Sequence, residues 1–495
     1  MLLVFAFPGF SVIFLAWIGL VPWFFALQSC TSRLRAAWCG YVTGLVFFGL
    51  SIHWLTFVHP VAWLLTVLLE SVFFALFSLA AYEGCKLKNE ILRFLWIPLA
   101  WTFFEWLRAE IPVFGFGWNL LAHSQASHLE ILQVAGALGA YGLGFFMVFV
   151  NLCFFQILKD LKNISGGYSW SRVVFLIAFI AALFGSFVFY GRYQLANTPK
   201  SESSIRVSLV QGNIPQQIKW DRRARPRILE IYELLTRLVQ YDQPDIAFWP
   251  EASFPGYFNI DQDATQVRKL VKELQLPLIV GSPYYASFDE AYNSAFLVNG
   301  LGEIVDRYDK QYLVPFGEYV PLKFIFGWLE PVAYTMGVSD FYAGTESRIF
   351  KTPNEQIPFS VLICFEDIFP SLASNAVRQG AEFLAVITND AWFGPTAAAH
   401  QHLQSSIFRA VENGVPIVRA ANTGVSAFIS SSGEVTGKVA QNEKDIFVAG
   451  KATQEVVLNR RPTLYLKGGW LFPYGVALLF LIFVLSWSRL VQKES

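Results

Sequence analysis

The chain has 495 residues and no formal net charge; 54% of its residues are hydrophobic and only 15% are charged. Soluble domains carry about 25% charged residues, so this composition excludes a chain that is soluble throughout, and the lack of a basic tract argues against nucleic acid as a partner. The apolar stretches lie towards the two ends of the chain. We therefore predict a membrane bundle over 1–194, a soluble domain over 195–467, and a last membrane helix with a cytoplasmic tail over 468–495.

Seven apolar segments are candidates for membrane-spanning helices. A helix needs about 20 mostly apolar residues to cross a bilayer, and its backbone groups must be hydrogen-bonded within the segment because lipid offers no partners. The fourth segment is the shortest. The predicted spans are 10–27, 37–58, 61–82, 92–107, 131–157, 173–191 and 470–488.

Lysine and arginine residues mark one side of this predicted bundle. They occur in the loops after the first, third and fifth spans and in the tail after the seventh. By contrast, the turn at His59-Pro60 has none, and the loop from Arg108 to Glu130 carries one arginine and two glutamates. Because positively charged loops face the cytoplasm, the domain over 195–467 is predicted to be extracytoplasmic.

Three ionisable residues lie in or beside the apolar spans. Glu70 is in the middle of a span, and Glu105 and Arg108 are three residues apart at the end of another. Charge in lipid is a functional hint by default. We favour the simpler interpretation: a polar contact inside the bundle for Glu70, and an ion pair between Glu105 and Arg108.

The soluble domain alternates short β-rich runs with longer helical stretches, which is typical of α/β or layered α+β folds. Polar side chains gather just after three of the runs, where open α/β sheets place their sites. The predicted strands are 205–211, 246–249, 278–281, 295–299, 360–364, 384–388, 417–420 and 426–430, and the predicted helices are 225–241, 264–274 and 401–412.

Cys364 is the strongest candidate for a nucleophile. Of the five cysteines it is the one that lies in the soluble domain, so it has no disulfide partner there although the predicted compartment oxidises thiols. A small buried hydrophobic residue is the alternative interpretation. Two carboxylates within the next three residues favour a chemical role for the thiol.

A thiol nucleophile needs a base and a group that stabilises an oxyanion. His400 and His402 are the histidines of the domain; they could also form a metal pair, but no third ligand supports one. The other candidates are Glu251 and Lys310. A buried carboxylate can take a thiol proton, and a nearby ammonium lowers the pKa of a thiol and stabilises an oxyanion.

Three short segments carry these groups: Trp249-Pro250-Glu251, Asp309-Lys310 and Ile363-Cys364-Phe365-Glu366. Together they resemble the Glu-Lys-Cys triad of the carbon–nitrogen hydrolase (nitrilase) superfamily, and the whole chain is similar to the bacterial apolipoprotein N-acyltransferases. The motifs of the soluble domain are together very specific for this family, and the resemblance covers nearly the full length of the chain. Supporting stretches are 105–108, 115–118, 210–216, 313–321, 389–394, 409–412 and 419–424.

The resemblance implies a four-layer αββα domain on a multi-span helical bundle in the bacterial cytoplasmic (inner) membrane, with the domain on the periplasmic face. It implies transfer of an acyl chain from a phospholipid to the α-amino group of the S-diacylglycerylcysteine of an apolipoprotein, the last step of lipoprotein maturation, with no cofactor and no metal. In this scheme Cys364 forms a thioester in a ping-pong sequence, Glu251 is the base and Lys310 stabilises the oxyanion. Glu318 and Glu366 support the triad.

Two features depart from the family. Phe365 follows the nucleophile where a tyrosine is expected. The family typically has eight spans, so its first helix is expected to be missing before Met1. Apolar residues near the site could line an acyl path, with ordinary core packing as the alternative; they are Trp220, Phe365, Trp392 and Phe393.

Two other functions remain open at this point. A membrane-tethered amidase or nitrilase that hydrolyses a small C–N substrate would share the triad, but it would not need six spans before the domain. A binding module without catalysis on a transporter-like bundle would not need the thiol of Cys364.

Overall fold

The computed structural model describes residues 1–162, 170–288, 290–327 and 340–494. Part of the predicted loop after the fifth span, and the last residue of the predicted tail, lie outside these ranges. The chain divides into two compact units. The helical unit comprises Met1–Asn197, Thr396–Gln404 and Thr463–Ser495, and the sheet unit comprises Thr198–Pro395 and Ser405–Pro462.

Long apolar helices build the helical unit. Several begin at residues suited to a helix start: the side chain of Asn89 accepts from the backbone N–H of Leu92, and Pro60 occupies the first helical position of another helix. The α-helices are Val21–Gln28, Arg33–Ser51, Leu55–Val58, Pro60–Cys85, Glu90–Glu110, Leu129–Leu132, Ala135–Lys162, Trp170–Ala196, Leu464–Lys467 and Phe472–Glu494. The helix Ala398–Asn413 begins in this unit and ends in the sheet unit.

Five helices of the described chain are long and apolar enough to cross a membrane, which confirms the predicted helical membrane class. They are Arg33–Ser51, Pro60–Cys85, Ala135–Lys162, Trp170–Ala196 and Gly469–Ser486. Two predicted spans differ in form. The segment 10–27 is broken into a 3-10 helix, Ile13–Trp17, and a short α-helix, Val21–Gln28. The fourth lies in the longer helix Glu90–Glu110, which also carries several charged residues.

The predicted ion pair between Glu105 and Arg108 is wrong. The guanidinium Nη1 of Arg108 lies 3.4 Å from Oε2 of Glu70, on another helix, and also donates to the backbone carbonyl of Phe116 at 2.8 Å. Glu105 instead accepts the backbone N–H of Leu121 at 2.8 Å. The chain after this helix is irregular, and its peptide groups need partners where water is scarce. Both side chains satisfy peptide groups there.

Two six-stranded sheets build the other unit, in the orders β12-β1-β2-β3-β4-β5 and β11-β10-β9-β8-β7-β6. The strands are β1 Ser204–Gln211, β2 Ile246–Phe248, β3 Leu278–Ser287, β4 Glu290–Val298, β5 Ile304–Asp309, β6 Phe350–Lys351, β7 Pro358–Ile363, β8 Phe383–Thr388, β9 Ile417–Ala421, β10 Ala427–Ile429, β11 Val435–Lys438 and β12 Gly450–Val457. The sequence patterns predicted neither β5 and β6 nor β11 and β12. The first sheet is mixed: β1, β2 and β3 run parallel, whereas β12 pairs antiparallel with β1.

The two sheets share one buried core. Alternate residues of each strand point the same way, and the inward sets of β1 and β7 belong to a single cluster; its members include Ile205, Val207, Leu209, Phe359, Val361 and Ile363. The rings of Phe248 and Phe359 meet across the interface at 5.8 Å. Because β1, β2, β7 and β8 are buried along most of their length, both faces of each sheet must be covered.

Helices cover the outer faces. The helices Arg225–Val239 and Ala264–Leu274 share a second buried cluster with the outward residues of the first sheet, among them Val210 and Trp249. The helix Pro370–Arg378 packs on β7 and β8. The result is the predicted four-layer αββα domain. Within the described residues, the other α-helices of this unit are the single turns Gln216–Lys219 and Lys323–Phe326.

Candidate active site

Cys364 lies at a strained turn directly after β7. Its φ of 53° is in the left-handed region, which residues with a Cβ seldom adopt. The carboxylate of Glu366 holds the turn, because its Oε2 accepts the backbone N–H of Ile363 at 2.7 Å. Such a turn presents a nucleophile at the end of a strand. Cys364 is partly buried and forms no disulfide.

The thiol of Cys364 is electrostatically coupled to its neighbours. Burial and the negative charge of Glu251 raise its pKa well above the ordinary value, whereas Lys310 and a hydrogen bond with Thr388 lower it. The resting group is therefore a thiol that needs a base before it can attack.

Glu251 follows β2 and is almost completely buried. Its Oε1 lies 3.4 Å from Nζ of Lys310, and its Oε2 accepts the backbone N–H of Asn389 at 2.9 Å. The next residue, Ala252, has a φ of 48°. Strained backbone thus occurs at the nucleophile itself and directly after this carboxylate, which is common at active sites. These contacts fix the direction in which the carboxylate points.

Lys310 is bound between two carboxylates. Its Nζ lies 2.8 Å from Oε2 of Glu318 and 3.4 Å from Glu251, and the residue is 1% exposed. Burial by itself would lower the pKa of Lys310, but the negative charges of Glu318 and Glu251 raise it above the ordinary value. The side chain therefore remains an ammonium ion at any physiological pH.

Asn293 connects the same two carboxylates through its side-chain amide. Its Nδ2 donates to Oε1 of Glu251 at 2.8 Å and to Oε1 of Glu318 at 2.7 Å. Its backbone carbonyl accepts the N–H of Lys310 at 2.9 Å. The backbone N–H of Val314 also donates to Oε2 of Glu318, at 2.8 Å. The side chains of Glu251, Asn293, Lys310 and Glu318 thus form one connected hydrogen-bonded group.

Glu366 anchors the segment that carries Lys310. Its Oε1 accepts from the hydroxyl of Tyr308 at 2.8 Å and from the backbone N–H of Gln311 at 2.7 Å. Burial raises the pKa of Glu366 to about 7, and burial together with Glu366 raises that of Tyr308. Glu366 therefore supports the site through neighbouring groups. Its role as a support of the triad stays a prediction.

The residues that follow β8 and β9 form another part of the site. Asn389 donates from its side chain to Oε1 of Gln216 at 2.9 Å, and Asn422 donates to Oδ1 of Asn389 at the same distance. These bonds hold the turn Gln216–Lys219. Lys219 ends that turn, is 1% exposed, and donates from Nζ to the backbone carbonyl of Glu251 at 3.1 Å.

A buried ionic network lies behind the nucleophile. Arg419 donates from Nη1 to Oδ2 of Asp367 at 2.9 Å and to the hydroxyl of Ser406 at 3.0 Å. Its Nη2 lies 3.3 Å from Oδ2 of Asp390. The network joins the loops that follow β7 and β8, so one side chain on β9 holds both in place.

Two of the four aromatic candidates for an acyl path are exposed, and the other two are half-buried. Trp220 is 49% exposed and Trp392 is 37% exposed, while Phe365 and Phe393 are half-buried. The ring of Phe365 packs edge-on against Phe369 at 5.3 Å. An apolar ring therefore directly follows the nucleophile.

Both histidines, His400 and His402, belong to the stretch Thr396–Gln404. His402 belongs to the helical unit, where its ring packs against Trp118 at 5.0 Å. Within the described ranges, no cluster of three or more His, Cys, Asp and Glu side chains could hold a metal ion. The base candidate that the geometry brings to Cys364 is Glu251.

Two site residues escaped the sequence patterns. Asn293 lies in phase with the inward Ala295 and Leu297 of β4, so strand periodicity would have placed it inside had β4 been predicted to begin at Glu290. A buried amide in such a strand would then have been conspicuous. No local pattern distinguishes Lys219 from a surface lysine next to a tryptophan.

Comparisons with known proteins find similar proteins over nearly the whole chain. Residues 1–153 match the apolipoprotein N-acyltransferase N-terminal domain family, and residues 206–457 match the carbon-nitrogen hydrolase family. The apolipoprotein N-acyltransferase of Geobacter metallireducens is 34% identical, with 96% of this chain and 91% of that protein covered. That of Chlorobaculum tepidum is 28% identical, with 93% and 89% covered.

Proposed function

Because the chain belongs to the apolipoprotein N-acyltransferase family, a family of acyltransferases that act on lipoproteins, we propose that it moves an acyl chain from a phospholipid to the α-amino group of the S-diacylglycerylcysteine that begins an apolipoprotein. This would be the last step of lipoprotein maturation. The observation that carries the proposal is the position of the Lys310 ammonium, 3.4 Å from Glu251 and 2.8 Å from Glu318, with its charge coupled to the thiol of Cys364.

The first half-reaction acylates Cys364. Glu251 takes the proton of the thiol while sulfur attacks the ester carbonyl of the phospholipid. Lys310 stabilises the negative charge that develops on the carbonyl oxygen. When the tetrahedral intermediate collapses, the ester C–O bond breaks, and the lysophospholipid leaves as an alcohol with the proton held by Glu251.

The second half-reaction consumes the thioester. The free amine of the acceptor attacks the thioester carbonyl and gives a proton to Glu251. The C–S bond breaks, an amide forms, and the proton returns to the Cys364 sulfur. Donor and acceptor occupy the site in turn, so the kinetics are ping-pong. Glu251 as the base and Lys310 as the cation act in both half-reactions.

The location follows from the substrates. Both are held in lipid, so we propose that residues 1–194 and 468–495 anchor the enzyme in the cytoplasmic (inner) membrane and that 195–467 catalyse on its periplasmic face. The five apolar helices support this. Exposed Trp220 and Trp392, with Phe365 and Phe393, would contact the acyl chain.

Label transfer tests the proposal. Purified enzyme is mixed in nanodiscs with a phospholipid labelled in both acyl chains and a synthetic S-diacylglycerylcysteinyl peptide. We expect label on the peptide amine, none on a peptide whose amine is acetylated, and none with Cys364→Ala. Cys30→Ala, at another free thiol, is the matched control and should transfer normally.

The intermediate gives a second measurement. Without acceptor, hydroxylamine-sensitive label should accumulate on the peptide fragment that contains Cys364. Label released only as free fatty acid while acceptor is present would instead support a hydrolase. Complete absence of thioester during rapid transfer would refute the ping-pong sequence.

A further inference from the structure

Lys219 is a second buried lysine beside the thiol. It is 1% exposed, and lysine is almost never fully buried unless its charge is compensated. Its hydrogen bond runs to the backbone carbonyl of Glu251. The turn Gln216–Lys219 that carries it is itself tied to Asn389 through Gln216. Its position is therefore determined by the same loops that form the active site.

The charges around Cys364 show what this lysine does. Glu251 and Glu318 are two carboxylates that share one ammonium, Lys310. Without a further cation the group would carry one uncompensated negative charge, and formation of the thiolate would add another. Buried charge without a partner is costly. Lys219 is a second lysine whose charge interacts with Glu251 and Cys364.

We propose that Lys219 is a positioning residue whose ammonium balances the Glu251–Glu318 pair and so favours deprotonation of Cys364. The inference rests on the proposed function, in which the thiol must lose its proton. The titratable groups whose charges act on Lys219 are Glu251, which follows β2, and Cys364, which follows β7. Lys310 and Glu318 adjoin Glu251.

The charge of Lys219 is sensitive to pH. Burial lowers its pKa to about 7, although Glu251 and Cys364 raise it. Below pH 7 the ammonium is present and aids the thiolate; above this pH the amine is neutral and its help is lost. A substitution that removes the charge therefore matters most at low pH.

Alkylation of Cys364 by iodoacetamide, followed by mass spectrometry from pH 5.5 to 9, tests this in the full-length enzyme without any substrate. An opposite charge at close range moves a pKa by about 1–3 units. We therefore expect Lys219→Met to react about tenfold more slowly than the wild type at pH 6, with a ratio near one at pH 8.5. Lys269→Met, an exposed lysine of the same unit, should match the wild type throughout.

Two outcomes would overturn the proposal: equal rates at pH 6, or a ratio that does not change with pH, as a purely structural role predicts. Lys219→Arg keeps its charge at all these pH values and should restore the rate at pH 6. Melting curves identify any variant that fails to fold; if that variant is Lys219→Met, the equally neutral Lys219→Gln replaces it. If the wild type forms no acyl-enzyme but the alkylation ratio changes as expected, the proposed function fails and the inference stands.

Discussion

Asn293 should be as important to the site as the residues that do the chemistry. Its amide donates to Glu251 at 2.8 Å and to Glu318 at 2.7 Å, and it is 6% exposed. Asn293→Ala removes both donors and leaves two carboxylate oxygens without them. Water has little access to replace the amide, so each carboxylate loses orientation as well as a hydrogen bond.

The magnitude follows from the two bonds. A hydrogen bond to a charged group contributes about 1.5–3 kcal/mol, so the pair amounts to about 3–6 kcal/mol if both are lost in full. If the site relaxes so that Lys310 moves towards the freed oxygens, part of this free energy is recovered. If about half of it, about 1.5–3 kcal/mol, appears in the acylation transition state, the rate of acyl-enzyme formation falls by about 10- to 100-fold, because about 1.4 kcal/mol is tenfold. Stability falls by a similar free energy.

Single-turnover labelling of Cys364 measures the rate, and tryptophan fluorescence during heating measures stability. Asn293→Asp keeps the shape but puts a third carboxyl against two others, so it should be slower still than Asn293→Ala. Asn299→Ala, directly after the same strand, removes an amide that bonds within its own turn and is the matched control. Acylation by Asn293→Ala within threefold of the wild type, at unchanged melting temperature, would refute this account of the site.

Three further predictions concern residues around the triad. Arg419→Met should lower the free energy of unfolding by about 3–5 kcal/mol, because it removes the guanidinium that forms ion pairs with the buried carboxylates Asp367 and Asp390; denaturant titration in detergent measures this, and an unchanged midpoint would contradict it. Both carboxylate oxygens of Glu366 accept hydrogen bonds, and Glu366→Gln replaces one of them by an amide N–H2 that cannot accept. We therefore expect the free energy of unfolding to fall by about 1–3 kcal/mol in the same titration, and no loss would show that the hydrogen bonds of Glu366 are dispensable. Trp392→Ala should raise the KM for phospholipid severalfold at nearly constant kcat, since it removes on the order of 1–2 kcal/mol of apolar contact; steady-state label transfer tests this, and a fall in kcat alone would be contrary to it.

The sequence by itself determined the features that arise from local patterns. Runs of about 20 apolar residues identify membrane helices because lipid demands them at that length, and five such helices are present in the described chain. The thiol of Cys364 and the carboxylate of Glu251 could be selected because each follows a β-rich run, where sites are built. The positions of the strongest site candidates therefore depended on chemistry and periodicity within short windows.

Only the tertiary structure decided which groups meet. The amide of Asn293 on β4, the ammonium of Lys219 on a short turn and the carboxylate of Glu251 after β2 come from three different elements. The partner of Arg108 is likewise Glu70 on another helix, rather than the nearby Glu105. The strand β12 joins β1 from far along the chain. Such contacts depend on how whole elements pack and which buried charges must be compensated, and no local pattern encodes either.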